Sequence, residues 1–407
     1  MQKAGKRWMA RGLVAGVALL GIALQSSGQE EPVRIAAIAP LSGPIAALGQ
    51  DEQKGAAIAV EEINRAGGLK AFNGRKLAIE FSDTQGKSDI VRSEMERLAT
   101  RERMPMVLGY EISAATAVAA QFAEQQRLPF LNSAAVSEDI LKRGYKWYFS
   151  EMGTSSDEAA AALAFLETLS KAAGGERPAV AFLYEDSPRG AGTAVATRKL
   201  VEHAGFRVVA DVSYNRAERN LLTFVSKVQQ AKPEVVFWAG YTADVVAGLK
   251  AMQQLDFTPY VIGAGGGLGD PRLAEQADPA FLERVRASTV DYFNPDMPRA
   301  RKFTQAFRAK YNRDPSPYAS IGYRGVYTVR AVLEKAARLD REAIRTALQQ
   351  IDIPGEATIT PYRAVKFGPD GRNVGVQNLV TQWHGGRKVT VWPAEVATGT
   401  AIPLRKR

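Results

Sequence analysis

A chain of 407 residues, 46% hydrophobic and 24% charged, is too long for one core and too apolar for disorder, so two domains are expected. It has no cysteine, which excludes disulfides, thiolate chemistry and a lipidated cysteine, and its two histidines, His203 and His384, leave little for a histidine metal site or a Ser-His-Asp triad. Four of the +10 net charges, Lys3, Lys6, Arg7 and Arg11, precede any acid, and the remaining +6 comes from interspersed acids and bases with no basic stripe, which argues against a nucleic-acid surface.

Residues 1–28 open with Lys3, Lys6, Arg7 and Arg11, continue through an apolar run from Gly12 to Leu24, and end in Ser26-Ser27-Gly28. That run of 13 residues is shorter than the ~20 a membrane-spanning helix needs. The three-part pattern is that of a secretory signal, so a mature chain beginning near Gln29, outside the cytoplasmic membrane, is expected.

The apolar run VRIAAIA (33–39) predicts a buried strand. A helix is expected over 50–66, with Ala56, Ala59, Val60 and Ile63 on one face and Gly67-Gly68 ending it. Strand 77–81, helix 88–100, strand 106–109, helix 114–126 and strand 129–132 follow. The pattern then restarts. Ser155 and Glu158 are spaced as a capping box before a helix to about Lys171. Next come strand 179–184, helix 190–203, strand 207–212, helix 221–230, strand 235–239, helix 243–255 and strand 260–263. Alternating strands and helices imply βαβ units on parallel sheets, and two runs of them imply two lobes. From about Ile359 the chain changes to short strands at 365–367, 374–383 and 389–392 around the turn Gly368-Pro369-Asp370-Gly371.

Ligands of parallel α/β sheets bind beyond the carboxyl ends of the strands, where helix N-termini offer free N–H groups and a positive dipole end. On that edge Ser113 has a hydroxyl and a backbone N–H able to hold an anion, or it simply caps its own helix. Ala134, Ala135 and Val136 offer backbone groups after the next strand, or plain packing. Tyr241 can close ring and hydroxyl over a ligand. Arg189 stands at a helix start, where a cation is disfavoured unless an anion lies in front of it. The glycine run 263–269 misses the dinucleotide fingerprint because Leu268 stands where a glycine is needed. No P-loop, nucleophile elbow or HExxH motif is present, and no cofactor or metal is expected.

The segments IAAIAPLSGPIAALG (35–49), AIAVEEINRAGG (57–68), LPFLNSAA (128–135), FLYEDSPRG (182–190), FWAGY (237–241) and WPAEVATG (392–399), in this order and spacing, resemble the periplasmic substrate-binding proteins of ABC importers of the branched-chain amino acid type. The resemblance covers about residues 33–395. It implies the type I periplasmic binding fold, two Rossmann-like α/β lobes with parallel-type sheets joined by three crossovers near 152, 290 and 358. Lobe 1 is then 29–151 plus 291–357, lobe 2 is 152–290 plus 358–395, and 396–407 is a polar tail.

The family's ligand positions fall on Ser113, which holds a carboxylate, on Ala134 and Ala135, and on Tyr241. Four positions depart from the pattern. A neighbouring hydroxyl residue is here Val136, the acid that takes an α-ammonium falls near Gly265, and two aromatic positions fall on Arg189 and Leu48. The carboxylate half of the clamp is thus kept and the ammonium half is not, unless Glu111 supplies it. A small carboxylate with an apolar body is therefore expected to bind better than a plain α-amino acid. The expected mechanism is capture by hinge closure without catalysis, with a membrane permease as partner and the chain a monomer. A receptor's ligand-sensing module and an α/β-cleft enzyme are the alternatives.

Overall fold

The computed structural model describes residues 30–405, and the expected secretory signal and its cleavage site lie outside them. Two sheets organise the described chain. The first has the order β2-β1-β3-β4-β5, all parallel, from β1 (Val33–Ala39), β2 (Leu77–Asp83), β3 (Val107–Gly109), β4 (Phe130–Asn132) and β5 (Tyr148–Ser150). The second begins with β6 (Val180–Glu185), β7 (Val208–Tyr214), β8 (Val235–Ala239), β9 (Tyr260–Ala264) and β10 (Ser288–Asp291). A two-stranded ladder of β11 (Asp352–Pro354) and β12 (Ala364–Lys366) follows, and β13 (Leu379–His384) and β14 (Arg387–Trp392) then join the second sheet antiparallel, giving the order β14-β13-β10-β9-β8-β6-β7. The second sheet is therefore mixed, not purely parallel.

The apolar runs form strands because both sheet faces are covered by helices: every residue of β3, β4, β8 and β9 is buried. The strand expected over 374–383 is shorter at its start. Val374 is exposed, and 374–378 run irregularly into β13. Three helices not parsed from the sequence, Arg301–Tyr311, Pro317–Ala336 and Arg341–Gln350, return the chain to the first sheet. Pro317–Ala336 lies tightly on Ala46–Arg65. A Cβ at Gly55 would strike the Ala319 carbonyl, and one at Gly322 the Glu52 carbonyl, so the backbones approach only because both positions are glycine.

The helix expected to start with a Ser155–Glu158 box spans Ser155–Ala172, but the cap lies one residue earlier. Thr154 and Asp157 make the reciprocal bonds, Asp157 N–H to Thr154 Oγ1 at 3.3 Å and Thr154 N–H to Asp157 Oδ2 at 2.8 Å. That frees Glu158 to turn inward. At the other end of the chain the Ile402 N–H bonds Gln382 Oε1 at 2.7 Å, and Leu404 is buried against the second sheet's core. No helix among the described residues is long and apolar enough to cross a membrane.

Candidate functional site

The carboxyl ends of β1, β3 and β4 face those of β6, β8 and β9 across one narrow cavity of ≈ 40 Å³. All nine residues singled out in the sequence line it: Leu48, Glu111, Ser113, Ala134, Ala135, Val136, Arg189, Tyr241 and Gly265. Roomier surface hollows exist, ≈ 560 Å³ around Tyr260, Arg286 and Leu404 and ≈ 740 Å³ around Arg299, Tyr362 and Trp392. Chemistry distinguishes the narrow one. Glu52 Oε2, Glu111 Oε2, Ser113 Oγ and Arg189 Nη1 are all buried without a hydrogen-bond partner, and all four residues line it. Buried polar atoms are rarely left so, and four around one cavity mark a place built for a polar guest.

On the first-sheet side Ser113 is the first residue of helix Ser113–Gln126. The cap residue is Ile112, which makes no side-chain cap bond, so the Ser113 hydroxyl does not serve its own helix. Beside it lie the N–H groups of the first turn, which have no intrahelical acceptor. Ala134 and Ala135 differ from expectation. Their N–H groups bond Asn132 Oδ1 at 3.2 and 2.8 Å, so they present small apolar surfaces to the cavity and their donors are spent. Val136 and Leu48 are buried and add apolar wall. Thr84 donates to Glu111 Oε1, while Glu111 Oε2 stays free. Burial pushes the Glu111 carboxyl up to about 8, with the Asp83 charge adding to the rise and the Thr84 bond opposing it.

On the second-sheet side Arg189 lies in the first turn of helix Pro188–His203, capped by Ser187. Its guanidinium meets Glu158 at 3.4 Å and stands 5.8 Å from the Tyr241 ring centroid. Gly265 has φ +78°, and a Cβ there would collide with this guanidinium. The arginine therefore fills the space a side chain at 265 would take, and it puts a cation where the resemblance places an acid. The Tyr241 N–H bonds the Asp244 carboxylate at 3.1 and 3.2 Å, which fixes the loop. Burial raises the Tyr241 hydroxyl to about 12, so it remains a neutral donor.

Sequence reasoning missed Glu52, Tyr110, Met152, Glu158, Tyr292 and Tyr318, which also line the cavity. Two signals were present. Glu52 shares the helix face of Ala56, Ala59 and Ile63, an acid in register with an apolar stripe. Tyr318 follows Ser316-Pro317, a helix-start pair whose Ser316 hydroxyl accepts the Ala319 N–H. Met152 and Tyr292 come just after β5 and β10, strands the apolar pattern did not reveal.

Residues 32–387 match the family model described as periplasmic binding protein. Leu/Ile/Val-binding protein homolog 8 of Brucella abortus (strain 2308) is 26% identical over 391 residues, covering 93% of this chain and 96% of that protein. Homolog 7 of the same strain is 27% identical over 397 residues, covering 94% and 97%. Among solved structures, a branched-chain amino acid transporter substrate binding protein of Streptococcus pneumoniae in complex with isoleucine superposes with a TM-score of 0.73 at 22% identity, covering 89% of this chain and 100% of the other. A solute binding protein of an ABC transporter from Rhodopseudomonas palustris BisB5, in complex with 3,4-dihydroxybenzoic acid, gives 0.76 at 17% identity, covering 92% and 98%. At these identities the structures speak for the fold. With the family model matched over residues 32–387, most of its length, the chain belongs to the periplasmic binding protein family.

Proposed function

We propose that the chain is the periplasmic solute-binding component of an ABC importer of the branched-chain amino acid type, taking a small carboxylate-bearing molecule in the cleft between the sheets. One observation carries the ligand class: Ser113 Oγ, at a helix N-terminus on one wall, and Arg189 Nη1, on the other, are both buried and without partners. A carboxylate satisfies both kinds of donor. The curated relatives are named as Leu/Ile/Val-binding proteins, which supports the importer class.

The mechanism is capture. One lobe binds the ligand and the other closes over it, favouring a closed form already accessible. The lobes proposed are 29–151 with 291–357 and 152–290 with 358–395. In support, the chain leaves the first sheet after β5, and the three helices that follow β10 return to it. Glu151 and Arg324, both buried, approach to 3.2 Å at the first of these passages. The exported form begins near Gln29, acts as a monomer, and presents its closed surface to a permease.

A thermal-shift screen of amino acids, aliphatic acids, aromatic acids and amides tests the reading. A ligand that binds the native state at about 100 times its Kd adds about 2.7 kcal/mol of stability. At least one carboxylate is expected to raise Tm by several degrees, and Ser113→Ala to lose that rise. Stabilisation by amides alone would overturn the ligand class.

A further inference from the structure

The cleft's first-sheet wall carries two carboxyls that capture of a carboxylate does not use. Glu52, on helix Ala46–Arg65, and Glu111, two residues before Ser113, are 2% and 1% exposed. Each has one carboxyl oxygen with no partner, and both line the cavity. Several neighbouring donors are committed to other acceptors. Thr84 gives its proton to the other oxygen of Glu111. The Tyr110 hydroxyl donates to the Gly322 carbonyl at 3.0 Å. Arg313 and Ser316 serve Asp51, and Ser42 serves Asp83.

The charges facing the pair are acidic too. Glu52 feels Glu111 and then Asp51, and Glu111 feels Asp83. Tyr110, Tyr292 and Tyr318 border Glu52 as buried neutral phenols. The cation of the cleft, Arg189, is on the opposite wall against Glu158. Two buried carboxyls with no protein cation beside them cannot both ionise.

We propose that Glu52 and Glu111 form a paired-carboxyl subsite that shares protons in the open cleft and receives an ammonium group of the ligand, giving up a proton as it does so. This rests on the reading of the cleft as a carboxylate site, which it deepens. The ligand is then a zwitterion, with its carboxylate toward Ser113 and its ammonium toward the two glutamates. The recognition of the positive end lies on the first-sheet wall, and Arg189 fills the space at Gly265. The proton balance is simple: a protonated carboxyl loses H⁺ to solvent, and the carboxylate left behind pairs with the ammonium. Burial holds both groups above the usual carboxylate range, Glu111 to about 8, so the pair holds protons at neutral pH.

Calorimetry in buffers of different ionisation enthalpy, using leucine against 4-methylpentanoate and the other amino acids against their deaminated acids, counts the protons. The best amino acid is expected to bind at least about tenfold tighter than its deaminated partner, a difference of about 1.4 kcal/mol. It should release up to about one proton per ligand at pH 7 and bind more tightly at pH 8 than at pH 6. Glu52→Gln and Glu111→Gln, checked for folding by circular dichroism, should shrink the preference to about threefold or less and abolish the release. Deaminated acids that bind as well as the amino acids, or amino-acid binding without proton release in the unmodified protein, would overturn the subsite and leave the carboxylate site standing. Binding of neither set would remove the carboxylate reading and the subsite together.

Discussion

Ser113 shows how much one side chain can reveal about a site. A serine at a helix start ordinarily caps that helix, but Ile112 holds the cap position here, and the Ser113 hydroxyl is buried with nothing to bond. Ser113→Ala is expected to leave the fold intact and to weaken ligand binding by about 1–3 kcal/mol, read by calorimetry. Unchanged affinity would remove Ser113 from the site. Glu111 makes a prediction about stability. Its carboxyl is raised from 4.5 to about 8, so between those values the folded protein holds a proton that the unfolded chain has lost. Its contribution therefore falls as pH rises from about 4.5 to about 8. Denaturant melts at pH 5 and pH 8 should show the unmodified protein losing more stability than Glu111→Gln, by on the order of 1 kcal/mol or more. Parallel losses would contradict the buried, protonated carboxyl. Ser113, Arg189 and Tyr241 were legible because strand-to-helix loops are marked in sequence. Glu52 was passed over because an acid near the start of an expected helix reads as a solvated position until the packing partner is known.

At the scale of elements, the strands of the βαβ units were legible because parallel strands buried on both faces leave continuous apolar runs. β5 and β10 were not, because polar side chains such as Ser150, Ser288 and Asp291 break their apolar runs. The cap of helix Ser155–Ala172 shifted by one residue because Thr154-x-x-Asp157 competes with Ser155-x-x-Glu158, and Glu158 is drawn away by Arg189. The contact between helices Ala46–Arg65 and Pro317–Ala336 is nonlocal, and no periodicity in either one announces it. It is also specific. Gly55→Ala sets a methyl against the Ala319 carbonyl and should cost about 1–3 kcal/mol in denaturant unfolding. The same change would displace Glu52 and so weaken ligand binding as well. A neutral Gly55→Ala would show that the two helices do not pack as described.

The whole molecule brings the ends of eight strands and several helix N-termini to one cavity. The first wall supplies Ser113 and two protonatable glutamates, and the second supplies Arg189 and Tyr241. Neither wall alone brings these groups together, so on the proposed reading capture requires both. A crystal structure of the protein grown with the best-stabilising carboxylate tests this most directly. The ligand is expected between the sheets, with its carboxylate within hydrogen-bond distance of Ser113 Oγ and the first-turn N–H groups of helix Ser113–Gln126. A ligand seated instead in the outer hollow beside Arg286 and Leu404, with the Ser113 hydroxyl still unbonded, would contradict it.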